Sequence, residues 1–528
     1  MRAVAVWKGV ALACGSGALL VTAFPKIDAA PVAWVALVPL LVAIDGRRPL
    51  PAALLSFLAG LIFFPGIFYW IMTVPDYNIF DHVILASFLA CYFALFGFAV
   101  AWIRNRTGLA MAVVAPPVWV LSEYLRGHVG FLSLPWLLLG YSQYLQTRLL
   151  QVTAWSGVYG LSFLIVLTNA VIADGIRRWQ VIRAAGSGLR ELLHWMAPPG
   201  AVVTSLVLGT LLYGSVVLAQ PLPGERMKIA VIQGNIPQQT VTRQAMVDRY
   251  IALTRTAAKQ APELIVWPET AVPGDVKHDA TLKRLINQVA AEAGTFLLLG
   301  VSEYAKFTNP GFRTPELRTT WYNSVLLVSP AGRLEGEYRK INLVPFGEYV
   351  PLKHLVTWPK SLAASFGNAL PGDSYTILSV GDRPFGAVIC WEIMFGDLVR
   401  QFVRRGASFM INATNESWFG ATAAPYQLLA MSAVRAAENR VSIARAASTG
   451  ISSFIDPYGR IVDRVRDSAG RELFVDGVLA HDVHVSRTPT FYARHGDVFV
   501  FVQMVLVAAL IAVGLARQRG GGADGRRN

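Results

Sequence analysis

Apolar positions dominate the first 219 residues of the chain, where they form long continuous runs rather than alternating patterns. A helix needs about 20 apolar residues to cross a bilayer at 1.5 Å per residue. Eight runs approach or reach that length, and the first two are the shortest. They are residues 10–24, 30–44, 51–72, 83–103, 109–124, 155–173, 197–219 and 498–516. The pattern therefore predicts a polytopic α-helical membrane protein with about eight transmembrane helices.

A different pattern occupies the stretch between the seventh and eighth runs. Short β-type runs separated by Gly and Pro begin at Lys228, Glu263, Phe296, Asn323, Phe385, Phe409 and Val441. Helical patterns lie among them at 245–259, 280–293, 396–405 and 426–439. Strands that alternate with helices predict an α/β layered fold. We therefore expect a membrane domain at 1–219, an inserted globular domain at 220–497, an eighth helix at 498–516 and a basic tail at 517–528.

Composition and charge support a membrane protein and give its orientation. Only 15% of residues are charged and 54% are hydrophobic, whereas soluble proteins average about 25% charged residues. With a cytoplasmic amino terminus, fourteen Lys and Arg residues of the membrane part lie inside and three (Lys26, Arg126 and Arg148) lie outside. The positive-inside rule then places both termini in the cytoplasm and the inserted domain outside. Most of the net charge of +14 is thus a topology signal, and no nucleic-acid partner is expected.

The first helix and several ionisable residues have alternative interpretations. Arg2 and Lys8 before an apolar run are also typical of a cleavable signal peptide, but further spans follow directly and favour an uncleaved helix. Glu123 and His82, near predicted helix ends, are interpreted as interfacial and solvated. His481 and His484 have no further ligands near them in the sequence, so we expect no metal and no cofactor.

Three cysteines in 528 residues exclude a disulfide framework and a Cys-rich zinc site. Cys390 is the only thiol in the inserted domain, where it ends the β-type run GAVIC just before a helical pattern. A thiol at a strand-to-helix turn lies near the positive end of a helix dipole, which stabilises a nucleophilic thiolate. An inert buried cysteine is an equally good interpretation from position alone.

A carboxylate and a lysine are the other candidates for chemistry. Glu269 follows the apolar run 264–267 and a proline, at the mouth of a predicted strand, where a dry pocket against Trp267 would suit a general base. A helix-capping acid is the alternative. Lys340 precedes Ile341 and Leu343, so it could point inward, where it would stabilise an oxyanion beside a thiolate. A solvated lysine in the charged run EGEYRK is the alternative.

The order of these motifs along the chain is similar to that of a known family. WPE, then YRK followed by PFGE, then ICWE resembles the nitrilase superfamily. Combined with the predicted membrane helices, the chain resembles the apolipoprotein N-acyltransferase family of Gram-negative inner membranes. The likeness covers essentially the whole chain, including the segments QGNIPQ, VPFGEYVP and NESWFG. It implies that the inserted domain is a nitrilase-like αββα sandwich.

The resemblance also implies roles for individual residues. Glu269 would be the general base, Lys340 the oxyanion and positioning residue, and Cys390 the nucleophile. Glu348 and Glu392 would orient the lysine and the cysteine loop as supporting residues.

Other positions depart from the family or concern its substrates. Trp391, a further supporting residue, stands where the family commonly has a tyrosine, and Glu416 where an aspartate is usual. The aromatic and basic segment 345–371 could lie on the lipid headgroups and admit acyl chains, or could be a core-packing insertion. The substrate-binding candidates are Tyr349, Trp358 and Trp418.

The implied reaction is acyl transfer in two steps through a Cys390 thioester. The donor would be a membrane phospholipid, phosphatidylethanolamine or a similar lipid, and the acceptor the diacylglyceryl-cysteine amine of an apolipoprotein in the bacterial inner membrane. Transfer would complete lipoprotein maturation. Two alternatives remain open: a membrane-tethered amidase that hydrolyses small amides, and a non-catalytic membrane protein that binds lipoproteins.

Overall fold

The computed structural model describes residues 2–186, 188–236, 241–272, 274–305, 320–353, 355–357 and 368–524. Trp358, one of the predicted substrate-binding residues, lies outside these described residues. The chain divides into two compact units. One comprises Met1–Ile71, Ile79–Ala219 and Asp497–Asn528, and the other comprises Met72–Asn78 and Gln220–Gly496.

The first unit is helical. Its α-helices are Arg2–Thr22, Ala33–Ala36, Val38–Ile44, Pro49–Phe68, Ile79–Thr107, Met111–Gly127, Thr147–Leu150, Thr153–Ser156, Val158–Ala184, Leu189–Leu218 and Val498–Asp524. Short 3₁₀ turns occur at Ala30–Val32, Tyr69–Thr73, Gly130–Leu132 and Leu139–Gln143. Each predicted apolar run is largely helical, and the last helix continues past the predicted end at residue 516.

Several of these helices are long and apolar enough to cross a membrane. Among the described residues they are Pro49–Thr73, Ile79–Thr107, Val158–Ala184, Leu189–Leu218 and Val498–Gln518. Val6–Thr22 and Ala30–Ile44 are apolar but shorter. The prediction of several membrane-type helices is therefore confirmed, whereas the number of eight spans stays a prediction.

The second apolar run is interrupted rather than continuous. Proline at the start of Val38–Ile44 has no backbone N–H to donate, so it begins a new helix. The amides of Leu37 and Val38 instead donate to Oδ1 of Asn169, at 2.9 and 3.1 Å. A side chain from another helix thus satisfies the backbone groups that the break leaves free.

The interpretation of Glu123 and His82 as solvated residues is wrong. Glu123 is 5% exposed and His82 is 8% exposed. One oxygen of Glu123 accepts a hydrogen bond from the backbone N–H of Leu139 at 2.6 Å. The carboxylate therefore fixes the polypeptide segment after Met111–Gly127, because a buried backbone donor needs a partner.

The second unit contains two six-stranded sheets. Their strands are β1 Glu225–Gln233, β2 Leu264–Val266, β3 Phe296–Ala305, β4 Thr320–Val328, β5 Leu334–Arg339, β6 Leu378–Val380, β7 Arg383–Ile389, β8 Phe409–Thr414, β9 Ser442–Ala447, β10 Ser453–Ile455, β11 Ile461–Arg464 and β12 Gly477–Val485. The strand orders are β12-β1-β2-β3-β4-β5 and β11-β10-β9-β8-β7-β6. Strands β1 to β3, and likewise β7 to β9, run parallel.

Helices cover the outer face of each sheet. The α-helices of this unit are Arg243–Ala258, Ala280–Ala293, Gly396–Arg404, Ala424–Asn439 and Phe491–His495. The first packs on β1 and the third on β7, while β1 contacts β9 and β4 contacts β7. The two sheets therefore lie face to face between helical layers. The predicted αββα sandwich is confirmed.

Burial explains why these strands form. All six residues of β8 and all six of β9 are buried, as is typical of parallel strands that are covered on both faces. The loops that follow β2, β5, β7 and β8 carry Glu269, Lys340, Cys390 and Glu416 respectively. The candidate residues thus lie at strand ends, where parallel α/β sheets commonly place their ligands.

Candidate active site

Cys390 follows β7 directly and begins the 3₁₀ turn Cys390–Met394. Its φ angle is +55°, a left-handed conformation that costs about 1–2 kcal/mol for a residue other than glycine. The thiol-bearing residue is 8% exposed. The backbone conformation therefore has to be maintained by the groups around the turn.

Burial disfavours ionisation of the Cys390 thiol. Burial raises the pKa of Cys390 to about 12, the negative charge of Glu269 adds to this effect, and Lys340 opposes it. The α-helix expected directly after Cys390 begins only at Gly396, so its positive end lies beyond the 3₁₀ turn, and desolvation has the largest effect on the pKa of the thiol.

Glu392 holds the cysteine turn in place. Its oxygens accept hydrogen bonds from the backbone N–H groups of Ile389, Ile341 and Asn342 at 2.8, 2.8 and 2.9 Å. The hydroxyl of Tyr338 donates to it as well, at 2.9 Å. One buried carboxyl group therefore connects the cysteine turn to the segment that follows β5. Burial raises the pKa of Glu392 to about 7, although its hydrogen bonds act in the opposite direction.

Lys340 points inward and is 1% exposed. Its Nζ lies 2.9 Å from Oε1 of Glu348 and 3.4 Å from Oε1 of Glu269. Burial lowers the pKa of this lysine, but the charges of Glu348 and Glu269 outweigh burial and raise the pKa above its ordinary value. The lysine is therefore a fixed cation between two carboxylates.

Glu269 is 7% exposed and receives two further hydrogen bonds. The side-chain amide of Asn323 donates to its Oε1 at 2.7 Å. The backbone N–H of Asn415 donates to its Oε2 at 2.8 Å. The Asn323 amide nitrogen also lies 2.8 Å from Oε1 of Glu348. Asn323 thus aligns both carboxylates with the lysine.

Known proteins are similar to this chain over nearly its whole length. Residues 16–171 match the family model described as the apolipoprotein N-acyltransferase N-terminal domain, and residues 228–488 match the carbon-nitrogen hydrolase model. The apolipoprotein N-acyltransferase of Geobacter metallireducens is 36% identical, over 95% of this chain and 94% of its own. That of Rhodopseudomonas palustris is 30% identical, over 96% and 95%. The chain belongs to the apolipoprotein N-acyltransferase family.

Solved structures from the nitrilase superfamily are also similar. An amidase from Nesterenkonia sp. is 18% identical and covers 53% of this chain and 97% of its own, with a TM-score of 0.36. A nitrilase-superfamily protein of Saccharomyces cerevisiae is 18% identical and covers 50% and 93%, with a TM-score of 0.38.

The structure of this apolipoprotein N-acyltransferase family member describes three further predicted residues. The indole N–H of Trp391 donates to the carbonyl of Asn342 at 2.6 Å, so this residue supports the same segment as Glu392. Tyr349 is partly buried, and its carbonyl accepts from the N–H of Phe346 at 2.7 Å. Trp418 lies in the 3₁₀ turn Ser417–Phe419.

The sequence did not indicate every residue of the site. Asn323, Asn412 and Arg445 lie within strands, at positions that a hydrophobic pattern treats as part of a β-type run. All three are buried. A usable signal was present, because polar or charged residues inside a fully buried strand require partners. For an N-acyltransferase, the resulting site combines a buried thiol with a lysine and a carboxylate that lie 3.4 Å apart and whose charges both act on the pKa of the thiol.

Proposed function

We propose that this N-acyltransferase transfers a fatty acyl chain from a membrane phospholipid to the α-amine of the N-terminal diacylglyceryl-cysteine of apolipoproteins, through a thioester on Cys390. The observation that carries the proposal is the grouping of a buried thiol with Lys340 and Glu269. The charges of both residues act on the pKa of Cys390, so all three lie within electrostatic reach. Nucleophile, base and oxyanion stabiliser are the parts that covalent acyl transfer needs.

In the first step, the sulfur of Cys390 attacks the ester carbonyl of the phospholipid. The thiol proton passes to Glu269 as the C–S bond forms, because a thiol with a raised pKa needs a base. Lys340 stabilises the negative oxygen of the tetrahedral intermediate. The lysophospholipid oxygen then leaves with the proton from Glu269, and the acyl group stays on sulfur as a thioester.

In the second step, the lipoprotein amine attacks the thioester carbonyl. Glu269 accepts the amine proton, the C–N bond forms and the C–S bond breaks. The proton returns to sulfur, which restores the Cys390 thiol. A ping-pong order suits two membrane-bound substrates, because each can occupy the same site in turn.

The proposal includes the donor and the location. Phosphatidylethanolamine or a similar lipid is the donor. The protein lies in the bacterial inner membrane as a multi-pass protein with both termini in the cytoplasm, and residues 220–497 form the periplasmic catalytic domain. The asymmetry of fourteen basic residues against three supports this orientation. Tyr349 and Trp418 are proposed to contact substrate.

The decisive experiment is incubation of the purified protein with a phospholipid that carries a labelled acyl chain. We expect an acid-stable adduct that neutral hydroxylamine removes by cleaving the thioester, and peptide mapping should assign it to Cys390. Cys390→Ala should form no adduct, whereas the matched control Cys91→Ala, which removes an exposed thiol, should label like wild type. The proposal would be overturned if the wild-type protein took up no labelled acyl chain.

The two alternatives give different outcomes in the same system. A membrane-tethered amidase would hydrolyse small amides and take no acyl group from phospholipid. A non-catalytic lipoprotein-binding protein would retain its function in the variant Cys390→Ser, so full complementation of an acyltransferase-deficient strain by that variant would favour it. We expect no complementation by Cys390→Ser and normal accumulation of the variant protein in the membrane.

A further inference from the structure

Arg445 is a fully buried cation in the centre of β9. In the sheet register it is opposite Asn412 of the neighbouring strand β8. Residues that are paired in this way project from the same face of a sheet, and Nη1 of Arg445 lies 3.4 Å from Oδ1 of Asn412. Burying a guanidinium group without partners is energetically costly, so the contacts of Arg445 show what this buried charge holds in place.

The first contact leads to the cysteine turn. The side-chain amide of Asn412 donates to the carbonyl oxygen of Cys390 at 3.2 Å and to that of Val388 at 3.3 Å. Arg445 therefore orients an amide whose donor end binds the backbone of the strained residue. As a thiolate, Cys390 acts against the effect of burial on the pKa of Arg445, so the two side chains lie within electrostatic reach.

The second contact leads to the carboxylate of Glu269. Nη2 of Arg445 forms an ion pair with Glu416, and both side chains are fully buried. Glu416 follows Asn415, whose backbone N–H donates to Oε2 of Glu269 at 2.8 Å. The ion pair thus fixes the loop that orients this oxygen.

We propose that Arg445 is a positioning residue that holds the Cys390 turn and the Glu269-binding loop in a fixed relation, through Asn412 on one side and Glu416 on the other. This inference rests on the proposed function. The planar guanidinium group can bind two partners at a defined angle, which a lysine cannot do. The reaction needs that precision, because small errors in the placement of a nucleophile relative to its base slow catalysis strongly.

The main test is the double variant Arg445→Met/Glu416→Met. It removes both charges at once, so neither charge is left buried without its partner. Single-turnover acylation of Cys390 is measured with labelled phospholipid in proteoliposomes at several lipid concentrations. We expect the maximal rate to fall about 100-fold, while the lipid concentration that gives half of that rate changes less than threefold. A purely structural role would lower the Tm without this selective loss of maximal rate.

A matched control is the pair Arg435 and Glu438, which is also buried and whose Nε and Oε2 atoms lie 2.9 Å apart. It lies in the helix Ala424–Asn439. We expect Arg435→Met/Glu438→Met to acylate within about threefold of the wild-type rate. Acylation of the Arg445 double variant at the same rate as this control would overturn the proposal.

A milder variant decides the matter if the double variant does not fold. Arg445→Lys keeps the positive charge but loses the planar guanidinium group that binds two partners. We therefore expect the maximal acylation rate to fall at least fivefold at an almost unchanged Tm. An unchanged rate would contradict the positioning role.

Failure of the proposed function can be recognised separately. If the wild-type protein forms no adduct, the reaction is wrong, and alkylation of Cys390 by an apolar maleimide then tests Arg445 alone. We expect the Arg445 double variant to be alkylated at least threefold faster than the Arg435 control at pH 8, because Asn412, which binds the carbonyl of Cys390, loses its partner and the turn holds the thiol less firmly in its buried position. Equal alkylation rates would overturn the inference.

Discussion

Lys340 and Glu348 form an ion pair of 2.9 Å, in which the lysine side chain is 1% exposed and the glutamate side chain 13%. Oε2 of Glu348 is held in turn by the backbone N–H of Val344 at 2.7 Å. The closest counter-ion of the lysine is therefore a carboxylate other than Glu269. In the proposed reaction, this arrangement keeps the lysine charged while Glu269 gains and loses a proton.

Replacement of Glu348 by glutamine should lower the transfer rate about 100-fold, in the range seen when one preorganised electrostatic group is lost. The variant removes the charge that most raises the pKa of Lys340, so the lysine becomes easier to deprotonate. The measurement is acyl transfer from labelled phospholipid as a function of pH. Glu335→Gln, at a more exposed position in β5, serves as the control and should retain activity within twofold.

Cys390 should react slowly with polar alkylating reagents. A variant that lacks Cys14 and Cys91 leaves this residue as the only thiol. Because burial raises the pKa of Cys390 to about 12, the alkylation rate should rise about tenfold per pH unit between pH 7 and 10. Burial also predicts much faster reaction with an apolar maleimide than with iodoacetamide. Equal rates for the two reagents, corrected for their intrinsic reactivity, would contradict the buried thiol.

Glu392 should make the Tm depend on pH. Burial raises its pKa from 4.5 to about 7, so between these pH values the folded protein keeps a proton that the unfolded chain has released. The stabilisation is complete below about pH 4.5 and is lost as pH rises through 7, which amounts to roughly 3 kcal/mol. Thermal unfolding in detergent should show a Tm that falls several degrees more between pH 5 and 8 for wild type than for Glu392→Gln. Parallel pH profiles would disprove this assignment.

Gly450→Ala should damage the loop that carries Glu416. A Cβ atom at this position would lie 1.7 Å from Oε2 of Glu416, far inside contact distance, and overpacking of this kind costs about 1–3 kcal/mol. We expect a lower Tm and at least tenfold slower acylation. Gly209→Ala, in the helix Leu189–Leu218 with no atom within 4 Å of the added carbon, is the control and should behave like wild type.

The inward position of Lys340 was indicated by the apolar residues Ile341 and Leu343 that follow it. The positions of Glu269 and Cys390 could be predicted because both follow predicted β-type runs, which the structure confirms as β2 and β7. Their burial follows from that placement. Strands such as β5 and β11 were not predicted, because LEGEYR and IVDR carry charges that a search for apolar runs passes over.

The supporting network could not be predicted, because it depends on contacts between strands. The pairing of Asn412 with Arg445 requires the register of β8 and β9, which neither run specifies alone. The amide of Asn323 binds both Glu269 and Glu348, which lie in loops that are distant from each other in sequence. The protonation state of Cys390 likewise depends on burial in three dimensions rather than on the helix that follows it in sequence.

The pairing of β1 with β12 joins Glu225 to Val485 and Gln233 to Gly477. The first strand of the second unit thus lacks one neighbour until nearly the whole unit has been synthesised. During translation, β1 is synthesised early, and one of its edges stays unpaired until β12 has been synthesised. The synthesis of β12 therefore sets when this edge of the sheet can be completed, and a chain truncated before residue 477 would leave β1 exposed as a site for aggregation.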